Sequence, residues 1–128
     1  MNNLIIDAAA DDIFLTLMNN KNIYICSHEN SKSNFERLII LINEFLKKNK
    51  ILIDEINNIY VNKGPGSFAG IRNSISIVKG LFITKKIDYY CFSFLEFEQT
   101  NAIKYEDVPN LCNKFKIKKN LINPIYLS

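Results

Sequence analysis

Three of the chain's four glycines fall within one decapeptide, Lys63-Gly64-Pro65-Gly66-Ser67-Phe68-Ala69-Gly70-Ile71-Arg72. Glycine is needed where φ must be positive or where another backbone comes close, so this concentration marks one demanding turn. The apolar run Ile56 to Val61 precedes it, with Ile56, Ile59 and Val61 as its apolar members, and a helical pattern follows. A strand that reverses sharply into a helix at mid-chain directs the fold towards the α/β class.

The flanking sequence extends that unit in both directions. Leu4-Ile5-Ile6-Asp7, Ile13 to Met18 and Ile23 to Ser27 read as three short strands, joined through Ala8 to Asp12 and through the polar turn Asn19 to Asn22. A helix is expected from Ser33 or Asn34, both able to cap it, to about Asn49, with a stripe of Phe35, Leu38, Ile39, Ile42, Phe45 and Leu46. Ile40 and Leu41 lie off that stripe and suggest a second contact, although isolated exposed apolar residues explain them equally well. After the turn, Ser67 is placed to cap a helix over Phe68 to Lys85, with Phe68, Ile71, Ile75, Val78, Leu81 and Phe82 inward. Ser76 and Gly80 sit four apart on that helix and permit close approach. Gly80 costs about 1 kcal/mol against alanine in a helix, so a packing gain should offset it. A fifth strand is expected within Asp88 to Phe97. A meander followed by alternating helices and strands implies an α/β domain whose later strands are parallel. Beyond Gln99 the signals weaken: Asn101 to Asn113 has no clear period, and Lys114 to Asn120 is a basic run read as solvated surface.

Composition limits what the chain can do. At 128 residues one domain is expected. The 16 basic against 13 acidic residues leave a net charge of +3, and only Arg37 and Arg72 are arginines. This lysine bias reads as mutational rather than as a nucleic-acid signal. No basic leader or apolar run of about 18 residues is visible, so a cytoplasmic protein without a membrane span is expected. Cys26, Cys91 and Cys112 are widely spaced; Cys26 and Cys91 sit in apolar runs and read as reduced core thiols. His28 is the sole histidine and has no metal-ligand or nucleophile partner in sequence. Asp7, Asp11 and Asp12 could hold Mg²⁺, or serve the turn and solubility equally well.

A glycine turn that feeds a helix N-terminus can bind an anion through Gly64, Gly66, Ser67, Gly70 and Arg72. The Walker pattern is absent, however, and the dinucleotide pattern is out of register, while Pro65 removes an amide donor. A structural turn is the preferred reading.

Taken whole, Gly64-Pro65-Gly66-Ser67-Phe68-Ala69-Gly70-Ile71-Arg72 followed by Lys79-Gly80-Leu81 resembles the TsaB family, bacterial subunits of the machinery that makes threonylcarbamoyladenosine in tRNA. Only Ala69 and Ile71 depart from the family string. Ile5-Ile6-Asp7, Glu36-Arg37-Leu38 and Phe92-Ser93-Phe94-Leu95 resemble further family segments, so the likeness covers residues 1 to about 98. It implies the N-terminal domain of the actin-like, ribonuclease-H-like ATPase fold, with a five-stranded mixed sheet in the order 3-2-1-4-5 and flanking helices. It also implies that two helices dock a TsaD-like catalytic subunit or a second copy of the chain, which makes Ile40, Leu41, Ile75, Ser76, Lys79 and Gly80 interface candidates. A TsaE-like ATPase would join through the complex, and tRNA would be met indirectly.

The chain departs from the family at Ala8-Ala9, where hydroxyl residues are usual, and it is shorter than typical members. Residues 99–128 are expected to be a remnant of the second domain, and Asn123-Pro124-Ile125-Tyr126-Leu127 resembles the family's closing motif with Ser128 in place of arginine. The expectation is a non-catalytic scaffold with no catalytic residue, metal or cofactor of its own. The alternative is a small nucleotide- or tRNA-binding module using Lys63, Arg72 and the lysine-rich tail.

Overall fold

The computed structural model describes residues 1–98 and 102–127. The meander forms as expected, with β1 (Asn2–Asp7), β2 (Asp12–Asn19) and β3 (Asn22–Glu29) antiparallel. Asn20 adopts a φ of 56° in the turn between β2 and β3, a left-handed conformation that asparagine tolerates.

Two helices follow. In α1 (Lys32–Glu36) the cap is Ser31, whose Oγ accepts from the Asn34 amide at 3.2 Å, in place of the expected Ser33 or Asn34. The path bends at Arg37 (φ −100°, ψ 12°) before α2 (Leu38–Lys48). After that bend the buried positions are Leu38, Leu41, Ile42, Phe45 and Leu46, spaced i, i+3, i+4, i+7, i+8. Leu41 is therefore 4% exposed, and Ile39, expected in the stripe, is 37% exposed. The bend rotates the second helix relative to the first, so a single stripe drawn through both misplaces these two residues.

β4 (Asn58–Asn62) runs into a two-residue strand, β5 (Gly66–Ser67), and then into α3 (Phe68–Lys85), which has the expected bounds. Ser67 Oγ accepts from the Gly70 amide at 3.2 Å as its cap, and Lys86 closes the helix at φ 60°. Ile71, Ile75, Val78 and Leu81 are buried, whereas Phe68 is 48% exposed at the helix mouth. β6 (Asp88–Phe92) completes a sheet of order β3-β2-β1-β4-β6, with β1, β4 and β6 mutually parallel. This is the order that the family resemblance implies.

Alternate residues of each strand point to opposite faces. One face, carrying Leu4, Ile6, Leu15, Val61 and Cys91, packs against α1, α2 and α3. Ile5, Tyr60 and Phe92 form the other, which is covered by Phe97 and by Val108, Leu111 and Cys112 of α4 (Val108–Lys114). That helix is seven residues long, below the length at which a periodic pattern can be recognised, and the sequence reading left its region unassigned. The tail then runs beside β6, where the Asn120 amide donates to Tyr89 O at 2.7 Å, and ends in β7 (Tyr126–Leu127), which pairs with Gly66–Ser67. Residues on both sides of position 98 therefore share the core of one sheet. Ser128 lies outside the described residues.

Candidate functional site

The carboxyl end of β1 presents Asp7, which is 1% exposed. The Ala9 and Ala10 amides donate to its Oδ1 at 3.0 and 3.3 Å, and Asn62 Nδ2, at the end of the neighbouring β4, donates to the same oxygen at 3.1 Å. Tyr105 donates its hydroxyl to Oδ2 at 2.6 Å. Burial, and then the adjacent Asp7 carboxylate, push the Tyr105 hydroxyl pKa well above the ordinary tyrosine value. Asn62 completes the chain by accepting from the Gly64 amide through Oδ1 at 2.9 Å. A continuous set of hydrogen bonds thus ties the tail, β1, β4 and the glycine turn. Tyr105 and Asn62 were absent from the sequence reading. Asn62 directly precedes the motif, but nothing local marks Tyr105.

Each turn glycine is required by a close backbone. A Cβ on Gly64, whose φ is 108°, would overlap the Ile125 carbonyl, and those on Gly66 and Gly70 would overlap the Ala9 and Ala8 carbonyls. The Gly64, Ser67 and Gly70 amides donate to Asn62 Oδ1, Ala9 O and Ser67 Oγ respectively. These three donors are therefore engaged within the chain.

An actin-like ATPase fold implies a nucleotide and its metal at this end of the sheet. The residues present do not fit that group. Ala8, Ala9 and Ala10 carry no hydroxyl, and both Asp7 oxygens already accept hydrogen bonds from the chain, one of them from the Tyr105 hydroxyl. Asp11 is exposed on the turn and Asp12 at the start of β2, and no cluster of three metal-ligating side chains occurs among the described residues.

A second feature lies on the helical layer. A groove of about 510 Å³ runs between α1 and α3, lined by Lys32, Phe35 and Glu36 on one side and by Phe68, Arg72 and Ser76 on the other. Arg72 and Ser76 were singled out from the sequence; the α1 wall was not. Lys79 and Gly80 continue the exposed face of α3, and a Cβ on Gly80 would meet nothing within 4 Å. Ile40 is exposed on α2 at 48%, and Ile83 on α3 at 60%. Ile75 (7% exposed) belongs to the core, and Leu41 packs beside Cys26 and His28 near the edge strand. The groove and the face of α3 that continues it therefore carry Arg72, Ser76, Lys79 and Gly80, Ile40 is exposed separately on α2, and Ile75 and Leu41 are left out.

Lys63 is buried, its Nζ 3.2 Å from Glu96 Oε2, and it borders a different cleft from the one Arg72 borders. The structure does not assemble a common basic surface from those two residues. Burial pushes the Cys91 thiol up to about 11, with Lys63 lowering it and Glu96 raising it, and pushes Cys112 up to about 12. Both are inert core thiols near neutral pH. Cys26 is half-buried, 3.8 Å from His28 Nε2. No helix is long and apolar enough to cross a membrane among the described residues.

Residues 25–113 match the family model described as TsaD, tRNA N6-adenosine threonylcarbamoyltransferase. Among curated proteins, "tRNA threonylcarbamoyladenosine biosynthesis protein TsaB" of Buchnera aphidicola subsp. Schizaphis graminum (strain Sg) is 33% identical over 92 residues, which cover 72% of this chain and 44% of that protein. Its namesake from Buchnera aphidicola subsp. Acyrthosiphon pisum (strain APS) is 31% identical over 97 residues, covering 74% and 44%. The chain thus spans less than half the length of these curated relatives. Among solved structures, YeaZ from Pseudomonas aeruginosa superposes with a TM-score of 0.66 at 20% identity, covering 72% of this chain and 43% of that one. The likeness in fold agrees with the α/β class read from the sequence pattern and with the actin-like, ribonuclease-H-like architecture that the family resemblance implies.

Proposed function

The chain belongs to the family that the TsaD model describes and, within it, to the TsaB/YeaZ proteins, and on that premise we propose that it serves threonylcarbamoyladenosine synthesis in tRNA as a non-catalytic scaffold. It docks a TsaD-like catalytic subunit through α1 and α3 and meets a TsaE-like ATPase and tRNA only through that complex, in the cytoplasm. A second copy of the chain competes for the same helices. The observation that carries this reading is the outer face of α3. Ser76 and Gly80 are exposed there on an 18-residue helix, and Gly80 gains nothing from its own chain to offset its cost. A partner helix that approaches closely supplies that gain. The saturated hydrogen bonds at Asp7 support a role without nucleotide chemistry of its own.

Co-purification of the tagged chain with a TsaD-like protein tests the proposal. Ser76→Arg combined with Gly80→Arg places two long side chains at exposed positions, so the melting temperature should hold while capture of the partner falls by roughly a hundredfold, or about 2.7 kcal/mol. Undiminished capture would sink the interface. A charge at Ile75 would not serve, since that residue is in the core and the fold itself would be lost.

A further inference from the structure

We propose that the cleft between the start of the glycine turn, the turn after β6 and the tail binds a small phosphate-class anion. The cleft has a volume of about 210 Å³ and is lined by Lys63, Glu96, Lys116 and Lys118, with Cys91 and Phe115 among its walls. Three lysines and one carboxylate therefore line it. Lys63 decides the matter, because its side chain is 5% exposed and its Nζ meets only Glu96 among the described residues. An ammonium has three donor hydrogens, and a cation withdrawn from water is costly unless they are met. Two donors of Lys63 therefore remain for an occupant.

The two tail lysines add to this imbalance. Neighbouring Lys119 is paired with Asp88 at 3.5 Å, and Lys85 with Asp54 at 2.7 Å, whereas the ammonium groups of Lys116 and Lys118 have no hydrogen-bond or ion-pair partner among the described residues. Lys116 holds a φ of 55° beside this cleft. The cleft lies beyond the carboxyl ends of the parallel strands β4 and β6, the side of an open α/β sheet at which ligands bind. Its volume is below the roughly 300–1,000 Å³ of pockets that enclose drug-sized ligands, so the occupant is inorganic phosphate or a small phosphomonoester. Compact ammonium charges suit such an anion. Once bound, it would hold the tail against the first residue of the glycine turn. This site is separate from the helical surface of the proposed scaffold role, and neither depends on the other.

Thermal unfolding and calorimetric titration of the full chain with inorganic phosphate, against sodium chloride at equal ionic strength, test the proposal. The melting temperature should rise with phosphate and saturate, as expected for a ligand of the native state alone. Lys116→Gln with Lys118→Gln alters two exposed side chains and should keep the fold while weakening Kd roughly tenfold or more. Identical melting temperatures in the two salts, or an unchanged Kd in the double variant, would overturn the site. Glycerol phosphate and adenosine monophosphate in parallel titrations identify the source of the phosphate group. Equal affinity for the nucleotide assigns a nucleotide phosphate, and binding of only the smaller anions assigns free phosphate or a small ester.

Discussion

Tyr105 and Asp7 are 98 positions apart in sequence, yet the tyrosine hydroxyl and the carboxylate form a 2.6 Å hydrogen bond inside the protein. A donor lost to a buried carboxylate costs about 1.5–3 kcal/mol, so Tyr105→Phe should destabilise the chain by about 2 kcal/mol in denaturant unfolding. Its pH dependence follows from the raised pKa of the folded state. Unfolded tyrosine releases its proton near pH 10, and the folded protein holds that proton longer, so this group's stabilisation is complete below about pH 10 and is lost as pH rises beyond it. Cys91 and Cys112, raised to about 11 and about 12 from 9.0, begin the same decline about a unit earlier. Tyr105→Phe should make the alkaline limb above pH 10 shallower, with the raised Tyr60 and Tyr89 hydroxyls still contributing there, and leave the limb near pH 9 intact. A variant whose alkaline profile matches the parent would show that the hydroxyl does not report the Asp7 contact.

Among the elements, α3 and the turn that launches it were the most legible. Ser67 capping and the bounds Phe68–Lys85 follow from local chemistry, and the clustered glycines marked the turn, although the backbones that require them, those of Ile125, Ala9 and Ala8, are distant in sequence. The first helix was less so. Its bend at Arg37 leaves no composition mark, and the stripe drawn across it exchanged Ile39 for Leu41. Gly80 supplies the prediction at this scale. With nothing within 4 Å of its would-be Cβ, Gly80→Ala should stabilise the isolated chain by about 0.5–1 kcal/mol, raising the melting temperature by about 4 °C. The same change should weaken capture of the TsaD-like partner if a helix packs closely there. Gain of stability with full capture would leave the glycine without a docking role.

For the whole molecule, the decisive fact is that the sheet needs covers on both faces. The second cover comes from Phe97, Val108, Leu111 and Cys112, joined by the half-buried Ile103, Tyr105 and Phe115. A chain ended after residue 98 should expose Ile5, Tyr60 and Phe92, bind a hydrophobic dye and lose its cooperative melting transition. An unchanged transition would mean that residues 1–98 form an independent domain, as the sequence reading divided them.

The sequence by itself determined the meander, the launching turn and the helix it caps, because strand alternation, helical periodicity and glycine's steric freedom are written within a few residues of where they act, whereas the strand order came from the family resemblance. Only the tertiary structure decided that Asp7 is spent on Tyr105 and Asn62, that Lys63 is buried against Glu96, and that a weakly patterned tail closes the second face of the sheet. Those outcomes depend on which distant groups the fold brings within hydrogen-bonding distance, and no local period carries that information.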